Sequence, residues 1–214
     1  MPILLDRSPA TPPAGLDTDL TPAQALQWAQ SQVQPDHVIV KVELDGKLLD
    51  FASPSPVVND SSLLAQRTLA ISTSPRKDLA LTTIGKLAAL IEWLAPQHKD
   101  VARLLEQGNT STAFTRFAEL ISAWQHIQFA YGNLAKLLNL TMNQLPVRDL
   151  GPSGGEIVLN EFCNQLAEMQ TALKNQDFVL LADILQYEMD GAVANWMSLL
   201  ESTLAIVEPS SAVA

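Results

Sequence analysis

The stretch DFVLLADILQYEMDGAVANW, residues 177–196, carries Asp177, Asp183, Glu188 and Asp190, with Tyr187 among them and no Lys or Arg. The question is whether these acids form a site or are the wet face of a core helix. Asp177 stands where an N-cap belongs, at the start of an apolar-periodic run. Asp183 and Asp190 fall opposite the apolar face and read as solvated. Glu188 differs, because it lies on the stripe Phe178, Leu181, Leu185, Glu188, Ala192, Trp196 and Leu199. A carboxylate on that line is expected to be partly buried and paired, with Arg116 or Lys86 as the cation in reach, or to face a cavity. Gly191 costs about 1 kcal/mol relative to Ala inside a helix, and close helix packing is its expected reason.

Other chemistry-bearing motifs are weaker. A carboxylate-bridged metal centre needs Glu-x-x-His on two facing helices. The only histidines are His37, His98 and His126, and none sits three residues after a Glu, so no metal and no cofactor is expected. GPSGG, residues 151–155, has the G-x-S-x-G form of a nucleophile elbow. It lacks the buried strand before it and a His after Ser153, so a flexible connection with Ser153 near a helix cap is the expectation. An anion pocket of bare backbone N–H groups beside Arg148 is the alternative there. Cys163 shares a helix with Leu159, Phe162 and Leu166 and reads as a core thiol. In WQHIQFAY, residues 124–131, Trp124, Ile127 and Tyr131 are core by spacing, which leaves His126 and Gln128 to line a groove. Glu188, Tyr187, His126, Gln128 and Arg148 are therefore the ligand- or partner-contact candidates, and no catalytic set is assigned.

The elements that must position these residues fall into two regimes. Residues 1–19 show no periodicity and are expected to be largely disordered, with Ile3-Leu4-Leu5 able to add a short strand. Residues 20–74 form a small module. Thr21, Pro22 and Gln24 give a capping-box start to a helix over 22–34. HVIVKVEL then alternates, Asp45-Gly46 has two-residue hairpin chemistry, and strands are expected over 37–44 and 47–52. SPSPVVNDSS, residues 53–62, is a loop by composition, and RTLAISTS supplies a further strand. One helix with three to four strands fits a β-grasp-like arrangement.

From Ser74-Pro75, read as cap and first turn, only helical periods remain. They predict helices over 75–95, ended by Pro96, then to Gly108, over 111–139, up to Asn175 after the long 141–155 loop, and over 177–207. Residues 208–214 should fray. The fold class is α+β: a small α/β module followed by a mainly antiparallel bundle of four to five helices over 75–207.

Composition bounds the function. The 214 residues are 47% hydrophobic, enough for a core, and the net charge is −10. Residues 150–214 hold nine acids against Lys174 alone, which argues against nucleic acid and anionic membrane surfaces. No apolar run of about 18 residues stands out, and MPILLDRSPATPPAG lacks the basic start of a signal peptide. With a single Cys, which fits a reducing compartment, these features make a cytoplasmic protein the expectation. Small, acidic and mostly helical, it resembles secretion-type chaperones at the level of class. The expected function is a non-enzymatic protein-interaction module, adaptor- or chaperone-like, using a groove on an acidic bundle, with a protein partner or self-association. The alternative is a small-ligand-binding bundle or a simple enzyme with a pocket near Glu188.

Overall fold

The computed structural model describes residues 3–10, 22–49 and 68–208. The chain forms two compact units, Met1–Leu79 and Ala80–Ala214. The fold is α+β as expected. Thr21 and the 53–62 loop lie outside the described residues.

The first unit contains β1 (Ile3–Leu5), β2 (Ser8–Ala10), α1 (Pro22–Gln32), β3 (His37–Leu44), β4 (Lys47–Leu48) and β5 (Leu69–Pro75). The strand order is β2-β1-β5-β3-β4, with β1 and β5 parallel and the other pairs antiparallel. A hairpin, a helix and two further strands before a last strand that docks beside the first make the β-grasp topology. Both hairpin turns have two consecutive residues with positive φ, Asp6-Arg7 and Asp45-Gly46. That backbone matches the twist of paired strands. The Asp6 carboxylate accepts from the Thr73 backbone N–H and hydroxyl, each at 2.6 Å. These bonds hold its pKa below the usual carboxylate value. Ala25 and Ala29 of α1 share a core with Ile3, Val42, Leu44, Leu69 and Ile71.

Ser74 and Pro75 do not open the next helix. They pair with Val38 and His37 as the end of β5. The residue before a proline is pushed toward extended backbone, which suits a strand end better than a helix cap.

Among the described residues, four long helical rods make up most of the second unit. They are α2 (Arg76–Glu106), α3 (Thr110–Leu137), α4 (Gly154–Lys174), and a composite rod of α5 (Phe178–Asp183), a π segment (Ile184–Glu188) and α6 (Met189–Val207). The predicted break at Pro96 is absent, since α2 runs through it. The proline forfeits one hydrogen bond, a cost of about 3 kcal/mol. Beyond it His98, Val101, Ala102 and Leu105 continue the buried line of Ile84, Leu87, Ile91 and Leu94. At about 1.5–3 kcal/mol per large buried apolar side chain, that line outweighs one lost bond. By length and composition α2 is also apolar enough to cross a membrane, which the sequence reading did not anticipate.

The ends of α2, α3 and α4 share one device. Gly108, Asn139 and Gln176 take positive φ. The following N–H bonds back to Leu104, Ala135 and Ala172 respectively, closing each helix in a Schellman turn. Asp177 caps α5 as expected, accepting from the Leu180 N–H at 3.0 Å.

Candidate functional site

The bundle's centre is aromatic. Trp124 of α3 lies 4.5 Å, centroid to centroid, from Phe162 of α4 and 6.0 Å from Trp196 of α6. Tyr131 meets Trp196 edge-on. Its hydroxyl donates to Thr203 Oγ1 at 3.1 Å, because the Thr203 hydroxyl hydrogen is given to the Leu199 carbonyl. The Trp124 indole N–H donates to Nε2 of His98 at 2.9 Å. The neutral ring therefore carries its proton on Nδ1, which lies toward the Ala95 carbonyl without closing a hydrogen bond. Burial lowers the His98 pKa from 6.5 to about 4. The Trp196 N–H is buried with no acceptor. This cluster ties the rods together.

Open space does lie between rods. A groove of about 420 Å³ runs between α3 and α4. Its floor is apolar, with Phe117, Trp124 and Met169 buried and Ile121, Leu166 and Leu173 half-buried. Its rim is Gln125, Gln128 and Gln170, and no described residue lining it is charged. The helical phase explains this. The core line of α4 is Val158, Phe162, Met169 and Ala172. Leu166 and Leu173 stand to one side of that line, so the apolar arc of α4 is wider than the core can cover. A shallower depression between α2 and α3 is lined by Leu90, Trp93, Glu119, Ser122 and His126.

The candidate residues do not form one site. Gln128 lies in the α3–α4 groove and His126 in the α2–α3 depression, on opposite sides of α3. Tyr187 is 73% exposed, and Glu188 is exposed rather than on the buried stripe. The physical reason is the π segment. The Met189 N–H bonds back to the Ile184 carbonyl, a turn with one residue more than an α turn. Within that wider turn the inward position passes from Glu188 to Met189, while Ala192, Trp196 and Leu199 farther along the stripe are buried. Arg116, expected near Glu188, instead lies 3.9 Å from Asp100. Asp190 pairs with Lys99 at 2.8 Å, linking α6 to α2.

Three further expectations are corrected. Cys163 is exposed, because it sits one residue, about 100°, past the buried Phe162. At Gly191 an added Cβ would meet nothing within 4 Å, so close packing is not its role. The 141–155 connection is built rather than loose. Leu145 and Val147 are buried, Val147 bridges to Gly151, and a Cβ at Gly154 would stand 2.6 Å from that of Val147. The N–H groups of Gly154 and Gly155 go to the Gly151 and Leu145 carbonyls, so they are not bare for an anion. The Ser153 hydroxyl donates to the Asn143 carbonyl at 3.1 Å, and Arg148 pairs with Glu201 at 3.4 Å.

The reading of the residues missed Gln125, Gln170, Leu166 and Leu173. Their signal was present in the excess width of the α4 apolar arc and in amides recurring at helical spacing along α3. No curated protein matches the chain, and no solved structure does. Residues 82–199, more than half of the chain and nearly all of the helical unit, match a family described as a domain of unknown function, DUF8042, and the chain belongs to that family.

Proposed function

We propose that the chain is a non-enzymatic protein-interaction module, adaptor- or chaperone-like, that receives an apolar helical segment of a partner protein in the α3–α4 groove. The observation that carries this reading is the groove's chemistry, an apolar floor under a rim of three glutamines and no charge. Such a trough accepts the apolar face of an amphipathic helix, while the amides satisfy polar groups at its edge. The acidic composition of residues 150–214 disfavours nucleic acid as the partner. The single Cys163, with its exposed thiol, suits a reducing compartment, and the proposal places the protein in the cytoplasm.

One observation favours a second reading. About 420 Å³ is also the size of a small-molecule pocket, which makes a neutral, largely apolar ligand the alternative occupant. The test is purification of the tagged chain from its source cells, beside an Ala167→Trp variant that fills the groove from an exposed position. A stoichiometric protein retained by the unmodified chain and lost by the variant supports the module. A partner that the variant retains overturns it. A small molecule seen by native mass spectrometry in place of a protein selects the second reading.

A further inference from the structure

The α2 helix presents an inconsistency between composition and burial. It is apolar enough to span a bilayer, yet only 28% of its most apolar window is buried. The face opposite Ile84, Leu87 and Ile91 carries Gly85, Lys86, Ala89, Glu92 and Trp93, all exposed, with Trp93 at 51%. An added Cβ at Gly85 would meet nothing within 4 Å. The order of these residues is symmetric about Ala89. Gly85 and Trp93 lie four residues to either side, and Lys86 and Glu92 lie three.

We propose that this face is a homodimer interface, on which two copies of α2 pair antiparallel about a two-fold axis at Ala89. With a uniform rise per residue, each position before Ala89 on one copy is level with the matching position after it on the other. The large Trp93 side chain of one copy then comes level with the gap at Gly85 of the second. Lys86 comes level with Glu92 and beside Trp93 of the second copy, which gives an ion pair and a cation–π contact, each made twice. Such self-complementarity is what a two-fold contact between identical surfaces requires. Small side chains at 85 and 89 let the two helices approach at about 8 Å, the close end of helix packing. A bilayer suits this face less, since Lys86 and Glu92 stand within the apolar stretch with opposite charges that lipid cannot pair. The inference is independent of the α3–α4 groove.

The test is light scattering and sedimentation of the full chain from about 1 to about 100 μM, with far-UV circular dichroism as the check on folding. A dimer is expected. Trp93→Glu should raise its dissociation constant by about 100-fold. Lys86→Glu should raise it by about 10-fold, and adding Glu92→Lys should restore it to within about threefold, since the reversed pair is again complementary. In a Cys163→Ser background, Ala89→Cys should link two copies on oxidation, and Ala167→Cys should not. A monomer throughout the concentration range overturns the proposal. So does a dimer that the Trp93 and Lys86 variants leave intact and Ala89→Cys does not link. A monomer that binds phosphatidylcholine vesicles through Trp93 would overturn it in favour of a lipid surface.

Discussion

The stretch around Pro96 and the stretch around Glu188 break helical rules in opposite senses. At Pro96 the local chemistry says stop, yet α2 continues. At Ile184–Glu188 nothing local says stop, yet the rod switches to a π turn. In both places the deciding term is burial on the two sides. Across Pro96 the buried residues keep one α-helical phase, and one lost hydrogen bond costs less than losing that line. Leu181 and Ala182 are buried before the turn, Ile184 and Leu185 in its first half, and Met189, Ala192 and Trp196 after it. The extra residue lets both sets face the core, and the acid next to Met189 is turned out to water.

The largest test of this contrast is a pair of single-residue deletions. Deleting Glu92, exposed in α2, would rotate everything after it by about 100° and take Leu94, His98 and Val101 out of the core. Loss of cooperative folding is expected by thermal denaturation. Deleting the exposed Tyr187 removes the extra residue of the π turn and leaves an α turn, so a loss of only about 1–2 kcal/mol is expected. Equal losses from the two deletions would show that the π turn is not a one-residue insertion.

His98, two residues past Pro96, gives the next largest effect. Its folded pKa of about 4 lies below its ordinary 6.5, because burial penalises the charged ring. The unfolded chain therefore binds the proton more readily, and stability is full above pH 6.5 and lost as pH falls toward 4. The loss across that window should be about 3 kcal/mol. His98→Gln keeps an acceptor in reach of the Trp124 N–H and should remove most of the slope, measured by urea unfolding at several pH values. An unchanged slope would place the proton-linked group elsewhere.

Pro96→Ala sharpens the comparison from the other side. It restores the N–H that the Glu92 carbonyl lacks, and a gain of about 1–2 kcal/mol is expected. A loss in chemical denaturation would mean that the core needs a bend at this residue. The smallest effect is Gly191→Ala, just past the π turn, where an added Cβ meets nothing. It should stabilise by about 0.5–1 kcal/mol in the same measurement, and a destabilised variant would mean the turn needs glycine's freedom.

Periodicity and turn chemistry alone determined much of this protein. The strand over His37–Leu44, the Asp45-Gly46 turn, the Asp177 cap and the α3 stripe through Trp124 and Tyr131 are local signals, and each stands in the structure where the residues placed it, although a register shift beside Val40 leaves that side chain exposed. Gln128 was legible as a groove residue for the same reason, because a regular α3 separates it from the core line. Glu188, Cys163 and the span of α2 were not legible. Their positions depend on phase carried across a π turn, on which arc of α4 the neighbouring rods cover, and on burial summed on both sides of a proline. Those are sums over contacts made by residues distant in the chain. Only the packed bundle performs them, and so only the tertiary structure decided which acid faces water, which thiol is exposed and which apolar side chains are left to line a groove.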